Sequence, residues 1–368
     1  MNRWRFVVLL GLLSLLAAGC SGGGTTAQPT QSSAGSATAA PSGGGGNLSA
    51  SLVGAGASFP EPLYMEWIGA YKKIEPGVSI NYQGIGSSGG RQQFIAQQLD
   101  FAGSDAPMND EEIAAAQKGR GSGSVLHIPM VFGGVAIAYN IPGLKEITLD
   151  GDTIAKIFLG QINNINDPAI AALNPGVQLP NQPLTVVHRS DGSGTTSIFT
   201  TYLTDVNDAW KNGPGKGSEI NWPTGVGGDK NDGVASAIAQ QPGGIGYVSY
   251  EFAVESNLVV AKVKNADGNA VAPSTESITA AADKVTIPDD LRFSILGIGG
   301  QGYPIVGATW ILAYTSGYDN AKADALKAFL TWSLKEGDQI ATELNYAPIG
   351  DSLQARALRN VERINSGS

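Results

Sequence analysis

The stretch RSDGSGTTS, residues 189–197, decides how this chain is read. An arginine stands two positions before an aspartate, and glycines, serines and threonines follow. The run lies between the strand-like LTVV (184–187) and the helix-like SIFTTYL (197–203). One fixed cation, one carboxylate and several small donors therefore collect at a helix start. Such a start exposes unpaired backbone N–H groups and carries partial positive charge. Glycine lets the backbone approach an anion closely, and Ser or Thr hydroxyls add donors.

Two more loops share this design. GAGASFPEP (54–62) follows a strand and opens a helix at Ser58 and Phe59. GIGSSGGRQQ (84–93) does the same with Ser87 and Ser88, and the first loop quoted does it with Ser193, Gly194 and Thr195. Helix capping explains any one of these hydroxyls alone. Three such loops, one beginning at Arg189, point to an anion held by several helix ends. GIGSSG (84–89) also fits the G-x-G-x-x-G dinucleotide fingerprint, with Asp100 or Asp105 downstream. Against that, the neighbouring glycine loops suggest a smaller, enclosed ligand. The phosphate-loop pattern G-x-x-x-x-G-K-[ST] is absent.

Asp105 follows the strand-like LDFAGS (99–104) and precedes Pro107 in DFAGSDAP (100–107). A turn or capping carboxylate is the plain alternative. An acid beside an anion is repelled unless the ligand still carries a proton. An ionised carboxylate only accepts hydrogen bonds. Phosphate near neutral pH retains an O–H to donate, and sulfate does not. A polar mismatch of that kind can reject an analogue by about 10⁴–10⁵, so Asp105 is expected to select phosphate over sulfate. Arg189 supplies the full counter-charge through its planar fork, and Asp191 is placed to orient it.

Composition narrows the classes. Of the 368 residues 42 % are apolar, and the formal net charge is −9. An acidic chain without Lys/Arg runs argues against general nucleic-acid binding. With two histidines, His127 and His188, and one cysteine, no zinc or iron–sulfur constellation exists. Neither a metal nor a cofactor is expected.

The N-terminus reads as a processing signal over residues 1–19. MNRWR is a basic n-region, and FVVLLGLLSLLAA is an apolar core short for a membrane span. It ends at AAGC, which resembles a bacterial lipobox, with Ala17 where leucine is commonest. The alternative is a plain secretory signal with an incidental cysteine. The lipobox reading puts the mature start and a lipid at Cys20, takes the charge from −9 to −11, and leaves no cysteine for disulfides. The segment to residue 49 is a Gly/Ser/Thr/Ala tether, spanning roughly 30 Å root-mean-square as a coil.

Beyond residue 50 strands and helices alternate. Expected strands include VLHIPMVF (125–132), GVAIAYN (134–140), LVVAKV (258–263) and PIVGATWILAY (304–314). Expected helices include 61–74, RQQFIAQQL (91–99), DGVASAIAQQ (232–241) and NAKADALKAFLTWSL (320–334). The pattern indicates α/β architecture with mixed sheets and no fixed-period repeat.

The chain resembles the PstS-type phosphate-binding proteins, the substrate-binding components of bacterial phosphate ABC transporters. The stretches that carry the resemblance are GAGASFPEPLY, NYQGIGSSGG, DFAGSDAP, IPMVFGGVAIAYNIPGL, DGSGTTSIFTTYL, WPTGVGGDKNDGVA and GGIGYVSY, within residues 51–350. The resemblance implies a two-lobed, type II-like periplasmic-binding-protein fold with a hinge and a ligand in the cleft. It implies phosphate contacts from Ser58, the Phe59 backbone, Ser87, Asp105, Arg189, Ser193, Gly194 and Thr195. Ser58 stands where threonine is frequent, and His188 where a second arginine can occur. The implied lobes are 50–132 with 304–368, and 133–303, so the contacts come from both. The implied partners are inorganic phosphate, permease subunits and, through Cys20, the outer face of a bacterial membrane, with a monomeric head.

Two other functions compete. A phosphatase or phosphoryl-transfer enzyme would use Ser193 as nucleophile and His188 as base, but adjacency in sequence is not catalytic geometry. A surface lipoprotein that senses phosphate or adheres to a partner is the other.

Overall fold

The computed structural model describes residues 48–119 and 123–367. Cys20, the signal segment and the tether to residue 47 lie outside the described residues. The described residues belong to one compact unit.

The main sheet is built from β1 (Ala50–Gly56), β2 (Val78–Gly84), β3 (Phe101–Ser104), β4 (Val125–Asn140), β5 (Thr185–Arg189), β6 (Val226–Gly228), β7 (Gly244–Ser249) and β8 (Val306–Tyr314). Its order is β2-β1-β3-β8-β4-β7-β5-β6. β2, β1 and β3 run parallel, as do β7, β5 and β6. Between these halves, β8 and β4 pair antiparallel to each other and to their outer neighbours. In open α/β sheets ligands sit beyond the carboxyl ends of the parallel strands. Here those ends are Gly56, Gly84 and Ser104 in one half and Arg189, Gly228 and Ser249 in the other.

β4 corrects the sequence reading. Two strands are expected, 125–132 and 134–140, with a break at Gly133, but a single strand runs from Val125 to Asn140. Its first part, to Gly134, pairs with β8, and Val135–Asn140 pairs with β7. The glycines serve close packing rather than a turn. A Cβ on Gly133 would lie 2.1 Å from the Phe59 ring. Conversely, the expected strand 258–263 is split: Val259–Val260 pairs with β4, and Lys262–Lys264 joins a separate three-stranded sheet.

Helices cover the sheet: α1 (Glu61–Ile74), α2 (Ser87–Ile95), α3 (Gly194–Val206), α4 (Lys230–Gln240) and α5 (Asn320–Glu336) among others. In α1, Pro62 fits the first turn, Glu61 and Lys72–Lys73 complement the helix dipole, and Leu63, Tyr64, Trp67 and Tyr71 are buried. Burial of each contributes about 1.5–3 kcal/mol, so this face fixes the helix more than propensity does. α2 starts at Ser87, four residues before the expected start, which puts both serines in its first turn. No described helix is long and apolar enough to cross a membrane.

Candidate functional site

The three glycine–serine loops converge. The loop after β2 meets the loop after β5 where the Ser88 N–H donates to the Gly192 carbonyl at 3.0 Å. Gly194 opens α3 directly against the other half. A Cβ there would stand 2.4 Å from both Asp105 Oδ2 and Ser87 Oγ. Only glycine permits that approach, and it leaves the α3 start facing Asp105.

Arg189 ends β5 and is buried, with Asp191 beneath its fork. Its Nε donates to Asp191 Oδ1 at 2.6 Å and its Nη2 to Asp191 Oδ2 at 2.5 Å. Its Nη1 donates to Thr195 Oγ1 at 3.4 Å, and Nη2 also reaches Ser58 Oγ at 3.3 Å. One guanidinium thus joins the first loop to the third. Burial works against ionisation of Asp191, but the Arg189 bonds and charge outweigh it and hold the carboxyl below its usual range. The Lys230 N–H adds a third bond to Asp191 Oδ1 at 3.2 Å.

Asp105, just past β3, is buried on the opposite wall. Thr309 Oγ1 donates to its Oδ1 at 2.8 Å, and Ser87 Oγ donates to its Oδ2 at 3.3 Å. Thr309 lies at a register shift between β8 and β4, the kind of irregularity that re-aims a side chain. Burial pushes the Asp105 carboxyl up to about 7, although Thr309, Arg189 and Ser87 pull the other way. The group therefore titrates near neutrality.

Every sequence-predicted site residue of the head lies in or beside this assembly. Ser193 Oγ accepts from the Thr196 N–H at 3.1 Å, so it also caps α3. The Phe59 carbonyl accepts from Tyr346 Oη at 2.7 Å. His188 stacks on Trp222 with ring centroids 4.7 Å apart, and its Nδ1 pairs with the Arg189 carbonyl at 3.0 Å. Space above the start of α2 is taken by Gly192 and Asp191 rather than left for a pyrophosphate. Among the described residues no group of three or more His, Cys, Asp or Glu could hold a metal ion.

Sequence reasoning missed three buried neighbours, Arg91, Asn231 and Thr309. Arg91 Nε pairs with Glu112 at 2.9 Å, while Nη1 and Nη2 donate to Ser104 and Ser218 Oγ at 3.2 and 3.4 Å. Its position right after the glycines of GIGSSGGR was the available signal. Asn231 lies in the first turn of α4 and faces Ser58 and Thr195.

Comparison with known proteins follows the same lines. The family model for a PBP superfamily domain matches residues 26–336. The phosphate-binding protein PstS of Haemophilus influenzae is 41 % identical over 81 % of this chain and 89 % of its own. The chain belongs to the PstS-type phosphate-binding protein family. The PstS protein of Pasteurella multocida is 40 % identical over 82 % of this chain and 87 % of its own. A solved high-affinity periplasmic phosphate-binding protein (PfluDING), bound with phosphate, superposes with a TM-score of 0.68 at 23 % identity. That match covers 83 % of this chain and 92 % of the other. The fold is the two-lobed α/β fold expected from sequence, with mixed sheets flanked by helices. The family is one of substrate-binding transport proteins rather than enzymes.

Proposed function

We propose that this chain is an extracytoplasmic receptor that binds inorganic phosphate and delivers it to an ABC-transporter permease. The observation that carries this reading is the convergence of both halves on one arginine and one buried carboxylate. Arg189 supplies charge, and Ser58, Ser193 and Thr195 supply hydroxyl donors, while Ser87 lies beside them with its single O–H given to Asp105. The backbone N–H groups at Phe59 and Gly194 complete the donor set. Asp191 holds the guanidinium in plane. Asp105 accepts a hydrogen bond from the O–H that phosphate keeps and sulfate lacks, so a sulfate ion would leave two negative groups face to face. Relatives named as phosphate-binding proteins support the ligand.

In this reading residues 50–132 with 304–368 form one lobe and 133–303 the other. Phosphate bridges them and favours the closed state by differential affinity. Cys20 carries a lipid that holds a monomeric head by its tether at the outer face of the membrane. Calorimetric titration of ligand-stripped protein tests the proposal. One-to-one phosphate binding with negligible sulfate heat at pH 8 is expected. Equal binding would remove the role of Asp105, and binding of neither would remove the receptor reading.

A further inference from the structure

We infer that Asn231 is a positioning residue that makes the Ser58 and Thr195 hydroxyls dedicated donors to the ligand; this rests on the phosphate-receptor reading. Asn231 is fully buried in the first turn of α4. Its amide orientation is fixed from behind. The Ser249 backbone N–H, which can only donate, lies 3.2 Å from Asn231 Oδ1. The Nδ2 group must then face the site, where it lies 3.4 Å from Ser58 Oγ and 3.5 Å from Thr195 Oγ1.

These are the same two oxygens that Arg189 reaches, Nη2 to Ser58 at 3.3 Å and Nη1 to Thr195 at 3.4 Å. A hydroxyl has two acceptor lone pairs and a single O–H. In each hydroxyl one lone pair accepts from arginine and the other from asparagine. Nothing is left for the ligand except the O–H. The contacts are at the long end of the hydrogen-bonding range, so each is weak, and their effect lies in direction rather than strength.

The backbone supports this placement. Lys230, the residue before Asn231, has φ of 58°, in the left-handed region. That turn brings the Lys230 N–H onto Asp191 Oδ1 at 3.2 Å and the next side chain onto the two hydroxyls. The start of α4 is thus tied both to the partner of Arg189 and to the donors beside it. Donor polarity on this wall complements the acceptor on the other, where Thr309 and Ser87 both donate to Asp105.

A double-mutant cycle on phosphate affinity tests the inference. Asn231→Ala is made in the wild type and in a Ser58→Ala/Thr195→Val background, with inorganic phosphate as titrant and thermal melting to verify folding. In the wild type a loss of about 10–100-fold is expected, the range for hydrogen bonds to a charged partner. With both hydroxyls gone the same substitution should cost less than about threefold, since nothing remains to orient. Asn231→Ser replaces the alanine variant if that fails to fold. Equal losses in both backgrounds would overturn the inference, because Asn231 would then act directly or only through the fold. Wild-type protein that binds no phosphate would overturn the receptor reading and this inference with it.

Discussion

Sulfate should become a better ligand as the solution is acidified, and the change should belong to Asp105. Burial raises this carboxyl to about 7. Above that pH it is an acceptor facing an anion that has no proton to give. Below it the carboxylic acid can donate, and the mismatch is relieved. At pH 8.5 only about one molecule in 30 carries the proton when the pKa is about 7. If sulfate binds only the protonated form, its affinity falls about 30-fold between pH 5.5 and 8.5, approaching a decade per unit at the alkaline end. Titration calorimetry in buffers of differing ionisation enthalpy should register close to one proton taken up per sulfate at pH 8.5. Asp105→Asn is permanently neutral, and its amide can donate, so its sulfate affinity should be flat over this range. Parallel pH curves for the wild type and Asp105→Asn would refute the assignment. Stability gives an independent reading. Since the folded value is raised, stability is fully present below the ordinary carboxylate value and is lost as pH rises through about 7. The shift of roughly three units corresponds to about 4 kcal/mol of ligand-free stability, which Asp105→Asn should not lose.

Arg189→Ala should weaken phosphate binding by at least about 100-fold, as expected for loss of a charge-assisted fork. It should also lower the melting temperature, because Asp191 is left partly buried without its partner; near-native affinity would remove Arg189 from the site. Gly194→Ala places a methyl group 2.4 Å from Asp105 Oδ2 and Ser87 Oγ. It should weaken phosphate binding severely while the separate halves stay folded, and an unchanged titration would contradict the close approach. Glu251→Gln tests a buried carboxyl whose pKa is driven well up by burial. A raised folded value means stability falls as pH rises above the ordinary glutamate range, so the glutamine variant should melt higher at pH 8. The gap should close below about pH 4; identical melting profiles would count against it.

What the sequence made legible was punctuation. Gly and Ser at strand-to-helix junctions marked three loops, and Arg189 and Asp105 stood out as charges where a loop has no structural need of them. Other residues carried no such mark. Thr309 sits in a β-branched, apolar strand and reads as packing until β8 is aligned with β3. Asn231 in DKNDG reads as a cap, and its partners Ser58 and Thr195 are 173 and 36 positions away. Glu251 in YEFAVE reads as a solvated acid, yet its short helix is pressed against β4 and β7. The strand break expected at Gly133 has a related cause. Glycine marks a turn or a close approach equally well, and only the Phe59 ring above it decides between them.

The uninterrupted β4 bears on how such a molecule flexes. One length of extended backbone belongs to both halves of the sheet, and β8 runs antiparallel beside it. In the proposed receptor, rocking of one half against the other is taken up as torsion along these ribbons. The same property makes the ribbon a poor place for an insertion. A segment added at Gly133–Gly134 would uncouple the jaws, whereas one of equal length in an exposed turn would leave their travel intact.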